Sequence, residues 1–548
     1  MKISRFPLHS ILLGVYPILN LYAQNMVYVV LEDTFRAFGL SLAFVIPLLF
    51  AFRIIVKRWD RAGVLCSFVI ILFFSFGHIA SSLETWADQR NQSFDITALS
   101  WIWLCFFLLF SFIVLRVRLP ERTTQYLNYA GVILLIFPML TIFSTLGADK
   151  QISPFEEDAL SQLRGEDIAE ASLRTISPSE LPDIYYIILD AYGRADTLKE
   201  LYNYDNSPFI EALEARGFYV APASRSNYLS TTYSLNTSLN LMYIHDFPPT
   251  IFRKARYNLW TNHVTDFLKE LGYQTVVFDS GTGDTNKQDA DVFISMGPTT
   301  SEDQSGLNPF EQLALRTTMG LMFFEGGSSS DGLGSDDAFV ISSVDRELSV
   351  RRERIKHALD HLPDYATEES RYFLFSHIYL PHFPFLYGPG GEELKYHENV
   401  NLFWYEVEPE QYIEYYTYQI EYLNQAILRT IDTILAESEK PVVIVLQADH
   451  GDEKFLDWEA PTAQGVNVRS AILNAIYYSD HAYDSLYPTL TPVNTFRLIL
   501  NHWFGTQYPT LPDKVFFHEH PLFTPPNAKP VFMDSCEQFK ICPPALLE

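Results

Sequence analysis

The sequence predicts an N-terminal α-helical transmembrane bundle followed by a large α/β domain with a central, mostly parallel sheet. Three observations lead there. Apolar stretches crowd residues 1–147 of the 548. Residues 148–181 are rich in Glu, Asp and Ser and read as a juxtamembrane linker with a short surface helix from Phe155 to Leu163. From residue 182 to 548, short continuous apolar runs alternate with helical patterns.

A hydrocarbon core about 30 Å thick takes roughly 20 apolar residues of helix. Five stretches meet or approach that length: Leu8 to Val30, Phe38 to Val56, Ala62 to Ser82, Ile96 to Leu115 and Tyr126 to Leu146. The first is interrupted by Pro17, Asn20, Gln24 and Asn25, so it reads either as a span or as a re-entrant or interfacial segment. Loop charges set the orientation. With the N-terminus inside, the cytoplasmic side carries Lys2, Arg5, Arg53, Lys57, Arg58, Arg61, Arg116, Arg118 and Arg122, against Arg36, Arg90 and Lys150 opposite. Nine against three places residues after Leu146 outside the plasma membrane. No short apolar core precedes a small-residue cleavage site, so the first span doubles as the export signal.

The formal net charge of -27 and pI near 4.9 exclude a basic nucleic-acid-binding face. Cys66 and Cys105 fall in spans and read as small apolar residues. Cys536 and Cys542 lie close together in an oxidising compartment, where a local disulfide can persist.

In the exported domain, Ile184 to Leu189, Gln274 to Phe278, Tyr372 to Phe375 and Val442 to Leu446 read as strands apolar on both faces. Helical patterns run Pro208 to Arg216, Asn262 to Leu271, Arg351 to Leu362 and Gln411 to Ala436; the Tyr residues from Tyr412 to Tyr422 read as packing on a helix face. Gly326 to Asp337 reads as a mobile loop, and His518 and His520 as surface residues of a Pro-rich tail.

In open α/β sheets, sites form beyond the carboxyl ends of strands. Here those ends carry Asp190, the run Asp449-His450-Gly451-Asp452-Glu453, and the segment from Ser376 and His377 through His382 to Pro384. Asp and His together suit a divalent cation, although an Asp after a strand is also an ordinary turn or cap residue. Arg194 and Asp196 read as a surface ion pair. A hydroxyl-rich stretch, Ser226 to Asn240, follows the first strand. It reads as a capped helix start, where the dipole favours an anion and a cation lowers a hydroxyl's pKa.

The order strand-Asp, hydroxyl nucleophile some forty residues on, Pro-His-Phe-Pro, then strand-Asp-His-Gly resembles the alkaline phosphatase and sulfatase superfamily. With an N-terminal bundle and an exported domain, the chain is similar to the membrane-anchored phosphoethanolamine transferases and lipoteichoic acid synthases. That resemblance implies an alkaline-phosphatase-like domain and one divalent metal, zinc in preference to manganese, on Asp190, Thr231, Asp449 and His450. It implies Thr231 as nucleophile, with Ser230 and Thr232 as competitors, and His382 as the substrate-binding or leaving-group histidine; His377 reads as structural. Those transferases typically carry Glu where Asp190 stands. No Cys-x-Pro-x-Arg signature is present, which disfavours formylglycine chemistry, and no second metal set is evident.

The implied reaction is transfer of a substituted phosphoryl group, of phosphoethanolamine or phosphoglycerol type, to an envelope lipid or glycan through a covalent Thr intermediate. The alternatives are a phosphate or sulfate ester hydrolase and an inactive lipid-binding regulator of the envelope.

Overall fold

The computed structural model describes residues 6–25, 31–88, 96–120, 122–148, 180–248, 252, 259–260, 262–282, 285–287, 290–296, 309–322, 335–368, 370–394, 409–518 and 530–541. The surface helix expected from Phe155 to Leu163, His520, Cys542 and residues 323–334 of the expected loop lie outside them; Ser335 to Asp337 open a helix. The chain divides into two compact units, Met1–Gln151 with Thr300–Phe339, and Ile152–Thr299 with Val340–Glu548.

The first unit holds helices α1 (Leu8–Asn25), α2 (Leu31–Val56), α3 (Trp59–Asp88), α4 (Ile96–Arg116) and α5 (Thr123–Ala148). Among the described residues, four stretches are long and apolar enough to cross a membrane: Thr34–Val56, Trp59–Leu83, Ile96–Arg116 and Thr123–Phe143. The fifth expected span, α1, is not among them. Two of its polar side chains, His9 and Ser10, are buried against the other helices. The Ser10 hydroxyl donates to the Gly63 carbonyl at 3.0 Å, and Ser41 donates to that of Gly14 at 2.7 Å. His9 Nδ1 shares a 2.6 Å hydrogen bond with Ser67 Oγ, and the His9 backbone N–H donates to Asn128. Glycine allows the close approach: a Cβ on Gly14 would lie 2.6 Å from Val45 Cγ2, and one on Gly63 2.2 Å from Pro7 Cβ.

Residues Thr300–Phe339, inside the stretch read as exported domain, pack in this same unit. A helix at Pro309–Arg316 buries Phe310 and Ala314 against Ile18, Tyr22, Ala37 and Ile142, and the buried Glu311 pairs with Arg36. The Met319 N–H donates to the Phe73 carbonyl at 2.8 Å. An apolar helix face and a buried carboxylate facing the one cation of α2's first turns explain a partnership that sequence distance hid.

The second unit is a seven-stranded sheet. Its elements are β1 (Asp183–Leu189), α6 (Ala195–Tyr202), α7 (Ser207–Ala215), β2 (Tyr219–Val220), α8 (Thr231–Asn240), α9 (His263–Glu270), β3 (Gln274–Phe278), β4 (Val292–Ile294), α10 (Ser335–His361), β5 (Tyr372–Ile378), α11 (Pro409–Glu437), β6 (Val442–Gln447), α12 (Ala463–Ser470), β7 (Asn474–Tyr478) and α13 (Pro492–Phe504). A separate hairpin-like pair follows, β8 (Phe516–His518) with β9 (Phe532–Asp534), and then α14 (Ser535–Phe539). The order is β2-β7-β6-β1-β5-β3-β4. The five strands from β6 to β4 run parallel; at one edge β7 pairs antiparallel with β6, and β2 antiparallel with β7.

Alternation along β1 builds two cores. Tyr185, Ile187 and Leu189 face one side with residues of α6, α7 and α11. Ile184, Tyr186 and Ile188 face the other with residues of α8, α9 and α13. Each such side chain, fully buried, stabilises the fold by roughly 1.5–3 kcal/mol. The register levels the carboxyl ends: Ile188 lies opposite His377 on β5 and opposite Gln447 on β6. Asp190 and Asp449 therefore emerge side by side. His518 is fully buried, against the expectation of a surface tail residue. It sits on β8 with its ring against Tyr233 and Phe532, so this histidine is sheet-paired core rather than a solvated residue.

Candidate metal and phosphoryl-transfer site

Three of the four residues expected to hold a metal converge at the carboxyl edge. Asp190, Asp449 and His450 are buried and each offers a ligand atom within 4.8 Å of the others. Backbone contacts aim them. Asp449 Oδ1 accepts the N–H groups of His450 and Ala191, at 2.9 and 3.2 Å. That leaves Asp449 Oδ2 facing His450 Nε2 at 3.2 Å. Asp190 Oδ2 faces His377 Nε2 at 3.2 Å, and Asp190 Oδ1 lies 3.8 Å from His450 Nε2. Asp190 Oδ1 and Asp449 Oδ2 are buried with no hydrogen-bond partner.

Two bare, buried carboxylate oxygens beside an imidazole are costly unless something positive sits between them. The donor set fits a divalent cation. Burial pushes the His450 ring down to about 3, with the nearby Arg469 charge adding to the effect. The ring is therefore neutral, and with Nδ1 against the Gly451 carbonyl at 3.1 Å the free lone pair falls on Nε2. Burial alone pushes the Asp190 carboxyl up, but the His382 and His377 rings and Arg469 hold it below its ordinary range.

Thr231 completes the cluster. It opens α8 directly after the N-cap residue Ser230, where the helix dipole favours an anion. Thr231 Oγ1 and His450 Nε2 lie 3.2 Å apart. Ser230 Oγ is buried without a partner, and Ser238 accepts the Tyr186 hydroxyl at 3.1 Å, so the hydroxyl-rich stretch mixes packing with the contact of Thr231 to His450.

His382 is half-buried beside the cluster, its ring 6.4 Å from that of His450, with its N–H donating to the Asp190 carbonyl at 3.2 Å. Its Nδ1 is engaged with the Phe383 carbonyl, which leaves Nε2 for a substrate. His377 spans Asp190 and Thr285, with Nδ1 3.0 Å from Thr285 Oγ1, and so positions the first carboxylate. Asp452 is occupied: Tyr202 and Tyr412 each donate to it at 2.6 Å. Tyr416 donates to the Ala191 carbonyl at 2.7 Å and accepts from Gly193 N–H, so the tyrosine face of α11 packs and also fixes the loop after Asp190. Arg194 and Asp196 form the expected ion pair, at 2.7 Å. Cys536 is disulfide-bonded.

Arg469 was not legible in the sequence. It sits near the end of α12 with no motif around it, yet its buried guanidinium places Nη2 3.2 Å from His450 Nε2. Gly451 explains how it gets there. A Cβ at 451 would lie 2.2 Å from the Val468 carbonyl oxygen and 2.9 Å from that of Ala471, and Gly451 N–H donates to the Arg469 carbonyl at 2.7 Å. Only backbone would have to move. Gly451→Ala is expected to cost about 3 kcal/mol or more and to weaken metal binding, which thermal unfolding and zinc titration of the variant would measure; parental values would remove this account of the glycine.

The sulfatase family model matches residues 182–496, more than half of the chain, and the chain belongs to the sulfatase family. It is thus a membrane-anchored hydrolase or transferase of the alkaline phosphatase and sulfatase superfamily. No curated protein matches it. Similar solved structures include the C-terminal periplasmic domain of EcEptC from Escherichia coli in complex with Zn, at 11% identity over 67% of this chain and 96% of that one, with a TM-score of 0.41. Another is the integral membrane lipooligosaccharide phosphoethanolamine transferase A from Neisseria meningitidis, at 12% identity over 90% and 95% of the two chains, TM-score 0.38. A sulfatase-like protein from Bacteroides thetaiotaomicron matches at 11% over 62% and 78%, TM-score 0.37. At such values none of them assigns a substrate.

Proposed function

We propose that the protein transfers a substituted phosphoryl group, of phosphoethanolamine or phosphoglycerol type, from a membrane lipid to an envelope lipid or glycan. The observation that carries the reading is the Thr231 hydroxyl at a helix N-terminus, 3.2 Å from a neutral His450 whose neighbours are two unpartnered carboxylate oxygens. Asp190, Asp449, His450 and Thr231 would hold one divalent ion, zinc in preference to manganese. Bound there, the ion lowers the hydroxyl pKa and offsets charge on a phosphoryl oxygen.

Thr231 Oγ1, its proton lost to water, attacks phosphorus as the bond to the donor's oxygen breaks. His382 Nε2 gives a proton to that leaving oxygen. The acceptor hydroxyl then attacks the same phosphorus, the Thr231–phosphorus bond breaks, and His382 takes the acceptor's proton. The active domain lies outside the plasma membrane. The insertion at Pro309–Arg316 supports that side, since it packs on Arg36, Ala37 and Tyr22, at helix ends that the charge asymmetry puts outside.

The test is intact mass spectrometry of the full-length protein after incubation with membrane lipid extract. An adduct of phosphoryl-ester mass is expected, discharged by an acceptor glycolipid. Protease added to intact spheroplasts should remove the active domain. No adduct with any donor, or a domain protected from protease, would count against the reading.

A further inference from the structure

We propose that Arg469 is an anion-binding residue of this site, holding a non-bridging oxygen of the phosphoryl group while that group is on Thr231. The proposal rests on the phosphoryl-transfer reading and assigns it a contact that no sequence motif marks.

The guanidinium is built into the site rather than drifting near it. Nε donates to the Leu229 carbonyl at 3.0 Å, two residues before Thr231, and Nη1 donates to the Gly451 carbonyl at 3.1 Å, next to His450. Two of the three nitrogens therefore tie the nucleophile's loop to the ligand loop. The third, Nη2, points inward, 3.2 Å from His450 Nε2 and 3.4 Å from Glu453 Oε2. Thr231 Oγ1 is a neighbour of the same His450 nitrogen. That nitrogen has one lone pair. A cation on it takes the lone pair that Nη2–H addresses, and the Nη2–H groups must turn to another acceptor. A buried guanidinium N–H that loses its acceptor is costly. The oxygens of a phosphoryl group on Thr231 supply them, and Arg is the side chain whose geometry suits phosphate oxygens. Glu453 is the competing acceptor, a carboxylate drawing the same Nη2 away from the nucleophile.

Two substitutions with opposite expected signs test this, with inorganic phosphate as the probe and the full-length, zinc-loaded protein as the sample. Arg469→Gln should weaken phosphate binding by at least about tenfold, while zinc affinity stays equal or rises because a positive charge has left the ligand shell. Glu453→Gln, on a partly exposed side chain, should strengthen phosphate binding several-fold. Thermal unfolding confirms that each variant is folded. Either variant that folds, loads zinc and keeps the parental phosphate affinity overturns the role of Arg469. A parent protein that binds no phosphate with zinc present overturns the reading of the whole site, so the two failures are told apart by the parent measurement.

Discussion

Thr231→Ala is expected to cut turnover by at least about a thousandfold and to abolish the covalent adduct, with little change in stability. The two effects separate for a physical reason. Position 231 is the first residue of α8, where alanine is a good helix former and no cap bond is lost, because Ser230 makes no side-chain cap. The one contact removed is the 3.2 Å hydrogen bond to His450, worth about 1 kcal/mol. Chemistry, under the proposed mechanism, loses the protein atom that would bond to phosphorus. Thr231→Ser keeps a hydroxyl and should retain measurable turnover. Ser230→Ala and Thr232→Ala should stay within about tenfold of the parent, since neither removes the reacting oxygen. Rates and intact masses of the four variants settle the assignment: a dead Ser230→Ala beside an active Thr231→Ala would move the nucleophile by one residue.

How much of this the sequence carried follows from the range of each signal. The central strands were readable because both faces of a parallel sheet are buried, so β1, β3, β5 and β6 are nearly unbroken apolar runs. The two-residue β2 and the three-residue β4 leave no such run, and their pairing is decided by neighbours far along the chain. In the membrane unit, α1 was the weakest span by apolarity because Pro17, Asn20, Gln24 and Asn25 interrupt it. Its first turn adds His9 and Ser10, both buried, with His9 Nδ1 hydrogen-bonded to Ser67 and the Ser10 hydroxyl to the Gly63 carbonyl. Asp190, Asp449 and His450 were legible since a strand end is both a sequence feature and a place. Arg469 was not, because its place depends on α12 folding back over Gly451, a contact of backbone with backbone. The burial of His518 depends likewise on a hairpin partner, Phe532, across a stretch with no periodic signal.

Removing the metal should destabilise the protein, and removing a metal ligand should do something different. A cation that binds the folded site at a thousand times its dissociation constant adds about 4 kcal/mol, so zinc should raise the unfolding temperature of the active domain by roughly 5–10 °C over chelator-treated protein. Asp449→Asn is expected to abolish that shift and turnover together. Without metal, however, the same variant should be as stable as the chelated parent or more stable. Two carboxylate charges within 4.8 Å repel by about 3.5 kcal/mol or more at an effective dielectric of about 20, a cost partly offset by Arg469 and His377 nearby. Asparagine keeps the Oδ1 that accepts from His450 and Ala191. It replaces the unpartnered Oδ2 with a neutral NH2, which removes one of the two negative charges that face each other. A stabilised, metal-blind variant is the signature of carboxylates arranged for a cation rather than for the fold. Differential scanning fluorimetry with zinc and with chelator reads both signs. A chelated Asp449→Asn much less stable than the chelated parent would instead make Asp449 a structural residue.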